Sequence, residues 1–108
     1  FDPVSGAPVA KILPADGSAY AEFGCSVALH GALACIGAYG QNETGAAYLF
    51  DLTTGAQLTK FIAPDGAPQD SFGSAVGLNG QVVIVGAETA DDHGPDSGAA
   101  YRFEIPLP

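Results

Sequence analysis

One run of residues occurs twice, and that repetition constrains the fold more than any other feature. Phe23-Gly24-Cys25-Ser26-Val27-Ala28-Leu29-His30-Gly31 recurs as Phe72-Gly73-Ser74-Ala75-Val76-Gly77-Leu78-Asn79-Gly80, at an offset of 49. The same offset carries Phe1-Asp2 onto Phe50-Asp51, Gly6 onto Gly55, Lys11 onto Lys60 and Asp16-Gly17 onto Asp65-Gly66. Gly45-Ala46-Ala47-Tyr48-Leu49-Phe50 returns as Gly98-Ala99-Ala100-Tyr101-Arg102-Phe103, now at an offset of 53, so the second copy carries a longer preceding loop. Within each copy the pattern is that of a hairpin. Asn79-Gly80 suits a two-residue turn whose central positions need positive φ. Val82-Val83-Ile84-Val85 is a β-branched run of the kind found in strands covered on both faces, and Gly86-Ala87 ends it with residues small enough for close backbone approach.

Each copy then offers four strands. In the first they are 9–13, 26–29, 33–36 and 46–50; in the second, 58–62, 74–78, 81–85 and 99–103. A repeat of roughly 50 residues built of short strands is the signature of a propeller or a related array, and four antiparallel strands make one propeller blade. The expected fold is therefore all-β, with two four-stranded antiparallel blades of a β-propeller-like repeat array. The repeats span 1–49 and 50–104, and Ile105-Pro106-Leu107-Pro108 forms a tail whose prolines cannot extend a ladder.

The order Phe-Gly-x-Ser-Val-Ala, Gly-Ala, Gly-Ala-Ala-Tyr-x-Phe, seen in full at Phe23–Ala28, Gly37-Ala38 and Gly45–Phe50, closely resembles the FG-GAP repeat of bacterial extracellular proteins, related to the blades of the integrin α-subunit head. The resemblance covers nearly the whole chain, in two copies. It implies an extracellular or cell-surface protein, structural or adhesive, and not an enzyme. Blades of this kind bury their faces against neighbours, and about three or more are usually needed for stability. Two repeats therefore call for self-association, by head-to-tail packing into a closed ring or a filament, or for further blades in a parent chain. Phe23, Val27, Ile36, Phe72, Val76 and Val85 are the expected packing residues.

Charge narrows the partners. The chain of 108 residues carries a net charge of −9 with only three fixed cations, Lys11, Lys60 and Arg102. That excludes nucleic acid as an expected ligand, because phosphate contacts come from Lys and Arg. No apolar stretch approaches the about 20 residues of a membrane-spanning helix. The chain has no Met, so Phe1 reads as the start of a processed chain or a fragment, as in a non-catalytic piece of a larger secreted protein.

Candidate sites are few. Asp91, Asp92 and Asp96 lie in the most polar loop and are hard oxygen ligands suited to Ca²⁺. The spacing is not that of an EF-hand and the first copy lacks these aspartates, so a solvated acidic loop is the competing reading. With Ca²⁺ ordering that loop, the chain would be a carbohydrate- or protein-binding module. Asp16-Gly17 and Asp65-Gly66 read as turns capped by their own aspartates. Asn42-Glu43-Thr44 fits the glycosylation sequon. Cys25 and Cys35 lie on paired strands. A two-residue turn at His30-Gly31 would set their sulfurs on opposite faces, whereas a three-residue turn would place them opposite one another; buried free thiols are the favoured reading over a disulfide. Tyr48 and Tyr101 recur within strands and read as packing residues, while Tyr39 is the better candidate for an exposed contact. No nucleophile, base and acid fall together, and no catalytic residue is assigned.

Overall fold

Each repeat is built around a hairpin whose turn is set by one glycine. The computed structural model describes residues 11–16, 22–40, 45–64, 71–87 and 98–105. The first hairpin joins β1 (Ser26–His30) to β2 (Leu33–Ala38), and the second joins β5 (Phe72–Leu78) to β6 (Val82–Ala87). His30 pairs with Leu33, so Gly31-Ala32 form the first turn, one residue later than the sequence suggests. Leu78 pairs with Val83, and the Asn79 N–H donates to the Val82 carbonyl at 3.2 Å, so Gly80-Gln81 are central in the second. Gly31 (φ +58°) and Gly80 (φ +93°) supply positive φ at the first central position, whereas Asn79 does not. This is the II′ pattern, which asks for Gly first and tolerates any residue next. Asn79 instead closes the turn from its side chain, where Oδ1 accepts from the Gln81 and Val82 N–H groups at 3.0 and 2.9 Å.

Ahead of each hairpin stands a Phe-Gly bulge, built the same way twice. Gly24 and Gly73 adopt φ of +94° and +98°, and the residues before the phenylalanines, Glu22 (+57°) and Ser71 (+62°), are also left-handed. The Cys25 N–H donates to the Glu22 carbonyl at 3.1 Å, and the Ser74 N–H to the Ser71 carbonyl at 3.0 Å. In β5 the bulge shifts the register between Phe72↔Ala87 and Ala75↔Gly86. A left-handed residue with a side chain costs about 1–2 kcal/mol. That this cost recurs at both bulges indicates that surrounding contacts hold each bulge in shape.

The remaining strands complete two antiparallel sheets. β3 (Ala46–Asp51) and β4 (Gln57–Phe61) follow β2, giving the order β1-β2-β3-β4; β7 (Ala99–Glu104) follows β6, giving β5-β6-β7. The turn from β3 to β4 is closed by Asp51, whose Oδ1 accepts from the Thr53 N–H at 2.8 Å, and by Gly55 at φ +80°. The described residues contain these seven strands and no helix, hence no helix long and apolar enough to cross a membrane. The sheets are out of phase with the sequence repeats, since β4 comes from the second copy and closes the first sheet. Its counterpart, expected at 9–13, is described from Lys11 on, and Lys11–Leu13 carry no strand pairing. The reason is positional: β4 pairs with the last strand of the sheet before it, and among the described residues no sheet precedes β1.

Alternation in β2 and β3 fills two separate cores. Ala34, Ile36, Ala38, Ala46, Tyr48 and Phe50 project to one side of the first sheet, against Phe23 and Ile12. Cys35, Ala47, Leu49 and Phe61 project to the other, where Phe72, Val83, Val85 and Ala87 of the second sheet meet them. The central strands of the first sheet are thus covered on both faces, as their unbroken apolar runs require. The same argument predicts cover on both faces of β6, and there the structure differs: Val83 and Val85 are buried, but Ile84 is 42% exposed. The six expected packing residues divide similarly. Phe72, Val85 and Ile36 are buried, and Phe23 and Val76 are half-buried against the cores. Val27 is 56% exposed. It lies on β1, the edge strand of the first sheet, with β2 as its neighbour on one side only. A charge placed there would remain in water, so the buried-charge penalty does not apply to Val27→Asp within a single chain.

Candidate functional site: the seam between the sheets

Glycine is required where the second bulge meets the first sheet. Phe72 forms a parallel bridge with Gly45, and the Phe72-Gly73 main chain lies against Gly37-Ala38 on one side and Gly45-Ala46 on the other. A Cβ on Gly37 would overlap the Gly73 carbonyl oxygen and the Ser26 hydroxyl; one on Gly45 would overlap the Phe72 carbonyl; one on Gly73 would overlap the Ala46 carbonyl. Gly37 is not in the left-handed region, so its need for glycine is purely one of space. Two side chains of the first repeat then satisfy the incoming carbonyl. Ser26 Oγ donates to the Gly73 oxygen at 2.8 Å, and Cys25 Sγ lies 3.4 Å from both the Gly37 and Gly73 oxygens.

An aromatic trio backs the bulge in each repeat. Phe72 meets Tyr101 edge-on at 5.4 Å and Phe103 at 6.1 Å. Phe23 meets Tyr48 at 5.6 Å and Phe50 at 5.9 Å, again edge-on. Such ring pairs contribute about 0.5–1.5 kcal/mol each beyond area burial. Phe61 of β4 stacks on Phe103 at 4.7 Å; its counterpart Ile12 packs into the Tyr48–Phe50 core. Ile12 thus stands toward the first-sheet core as Phe61 of β4 stands toward the second.

Asp16 pins the segment that carries Ile12. Its carboxylate accepts from the Tyr48 hydroxyl at 2.8 Å and pairs with Lys60 Nζ, while the Lys60 ammonium lies 5.8 Å from the Tyr48 ring centroid. The sequence suggests an aspartate serving its own turn; its strongest partners instead come from β3 and β4. The hydrogen bond from Lys60, then that from Tyr48, lowers the Asp16 pKa below its ordinary 3.8. Burial raises that of Tyr48, and the Asp16 carboxylate adds to the shift. A carboxylate whose folded pKa is depressed stabilises above the unfolded value, about 3.9, and loses that contribution as pH falls through the folded value. Asp16 remains 45% exposed, so solvent keeps the contribution below about 1 kcal/mol. Asp16→Asn is expected to lower the urea midpoint slightly at pH 7, with the gap from the unsubstituted chain closing as pH falls below 3.8 and through the depressed folded value. A gap unchanged at low pH would show that the carboxylate charge is not what holds the segment.

The cysteines are both free, and they differ in exposure. Cys35 faces Ala28 across the hairpin and is fully buried, with its thiol pushed up to about 11 by burial. Cys25 is exposed at the seam, contrary to the expectation that both are buried. The register matches neither arrangement considered from the sequence, because the turn falls at Gly31-Ala32. Tyr39 is half-buried. Asp91, Asp92, Asp96, Asn42 and Asp65 lie outside the described residues. Among the described residues, no group of three His, Cys, Asp or Glu side chains could hold a metal ion.

The sequence marks Gly-Ala as a place of close backbone approach and leaves the partner unnamed. The partner is the Phe-Gly bulge of the next repeat, and the motif order, read as donor and acceptor, was the available signal. No curated protein and no solved structure matches the chain significantly. A family model described as FG-GAP repeat matches twice, over residues 7–50 and 56–103. The two matches take in both bulges and both Gly-Ala edges of the seam, and the chain belongs to the FG-GAP repeat family.

Proposed function

We propose that the chain is a non-catalytic structural or adhesive module of the cell exterior that works by packing repeat on repeat, head to tail. The observation that carries this reading is the seating of the Phe72-Gly73 bulge between Gly37-Ala38 and Gly45-Ala46, with Ser26 donating to the Gly73 carbonyl. An edge that has no room for a Cβ and accepts one bulge in one orientation is a connector, not a reaction centre. FG-GAP repeats typically occur in extracellular or surface proteins and are generally non-catalytic, which agrees with an acidic chain rich in small residues. The rigid double-sheet scaffold would leave its loops to recognition.

The test is the mass of the native particle by light scattering, with and without Ca²⁺. A module of this kind gives discrete oligomers or long polymers. A well-folded particle of 10.8 kDa at every concentration contradicts the assembly reading. A mass that responds only to Ca²⁺ would make the 91–96 aspartates part of the joint.

A further inference from the structure

The seam has a second copy that no described residue occupies. The outer face of the second sheet holds an apolar groove lined by Ala75, Gly77, Ile84, Gly86 and Ala100. By the repeat offsets these correspond to Ser26, Ala28, Cys35, Gly37 and Ala47, around which the first sheet receives the Phe72-Gly73 bulge. The backbone is prepared in the same way: Ser74 Oγ lies 3.3 Å from the Gly86 carbonyl as Cys25 Sγ lies 3.4 Å from that of Gly37. Occupancy differs. A Cβ on Gly37 would overlap the incoming Gly73, whereas one on Gly86 would meet nothing nearer than Ala75 at 3.6 Å. Cys35 is fully buried and its counterpart Ile84 is 42% exposed, in a run whose composition asks for cover on both faces.

The matching bulge is also open. Gly24 has the left-handed φ of Gly73, and a Cβ there would meet nothing within 4 Å. The segment ahead of it, Lys11–Asp16, is already held in place by Ile12 and Asp16 and leaves Leu13 65% exposed. Among the described residues β7 pairs only with β6, and no described strand lies along its other edge.

We propose that a second copy of this chain seats its Phe23-Gly24 bulge in the Ala75–Gly86–Ala100 groove and lays its Lys11–Leu13 segment along the open edge of β7. One placement serves both features, because within the chain β4 pairs with β3 and the Phe72-Gly73 bulge seats on the same sheet. The contact is heterologous, so it propagates into a ring or a filament. Ala75 lacks the hydroxyl of Ser26, and Arg102 stands where the first sheet has Leu49, so this joint is weaker than the internal one and reversible on dilution. The inference rests on the head-to-tail reading above and assigns its surfaces.

The experiment is sedimentation velocity over a concentration series on the unsubstituted chain, Gly86→Val and Ile84→Lys, with each variant's fold checked by circular dichroism and urea unfolding. The unsubstituted chain is expected to associate, and each folded variant to need at least tenfold more protein to do so. Gly86→Val keeps its own bulge, so a molar excess of it should cap and shorten unsubstituted assemblies. Association that both variants leave unchanged overturns the groove assignment while the assembly reading stands. Blocked association without capping means groove-to-groove pairing and overturns the head-to-tail seam. A chain that stays monomeric overturns both and leaves the groove to a bulge from another polypeptide.

Discussion

Gly37→Ala is expected to destabilise the chain by about 3 kcal/mol, or to abolish cooperative unfolding, although it adds a single methyl group to a strand. Overpacking a close-packed contact costs about 1–3 kcal/mol where side chains can shift, and more where they cannot. Here the new Cβ would overlap the Gly73 carbonyl oxygen, which is main chain. Gly73 is itself hemmed in by main chain, since a Cβ on it would overlap the Ala46 carbonyl oxygen and come within 3.1 Å of the Ala38 nitrogen. The substitution would therefore part the two sheets, break the 2.8 Å hydrogen bond from Ser26 and loosen the core between Cys35 and Val85. Gly86→Ala is the internal control. It occupies the corresponding position of the second repeat with room for the methyl, and replacing a strand glycine by alanine is worth roughly 0.5–1 kcal/mol of stabilisation. Urea unfolding in dilute solution should give opposite signs for the two. Equal and small effects would mean that the bulge does not clamp the sheets together.

The contrast between these glycines shows what is legible in the sequence. The repeat, the hairpins and most of the strands can be read because local chemistry dictates them: Gly31 and Gly80 sit at positive φ in their turns, and the apolar runs follow strand spacing; the Phe-Gly bulges are not announced by any such pattern. The pattern sets the turn at Gly80 one residue early, because Asn79-Gly80 also satisfies the I′ form and only the cross-strand register decides between them. Burial is less legible. Leu29 and Val27 look like core residues in isolation, yet they are 66% and 56% exposed, because β1 is an edge strand and a residue's burial depends on which sheet stands beside it. Asp16 reads locally as a cap of its own turn, and its own backbone is among its partners, but its largest interactions come from strands 32 and 44 positions away. A sequence pattern reports which groups can pair across such distances only when a repeat shows the pairing twice, and the second aspartate, Asp65, lies outside the described residues.

Phe72→Ala should be the most damaging substitution of a side chain in the molecule. Phe72 is fully buried and is the only ring that touches both the bulge and the Tyr101–Phe103 pair among the described residues. Truncating a buried phenylalanine costs about 3–5 kcal/mol, through lost transfer energy and the cavity left behind. The total stability of a small domain is only about 5–15 kcal/mol, so the substitution removes a large share of it and the unfolding temperature should fall steeply. The cavity would open at the seam, where the left-handed Ser71 and Gly73 depend on the ring between them for their placement, and relaxation there would let the bulge leave the Gly45 edge. Phe23→Ala tests the same motif where no described sheet receives its bulge. Phe23 is half-buried, with Ile12 as its described cover from outside the sheet, and the expected loss is about half as large. Thermal unfolding of the two variants side by side therefore weighs the occupied bulge against the open one. Phe72→Ala should fall well below Phe23→Ala, and equal losses would show that each sheet stabilises its own bulge without help from the seam.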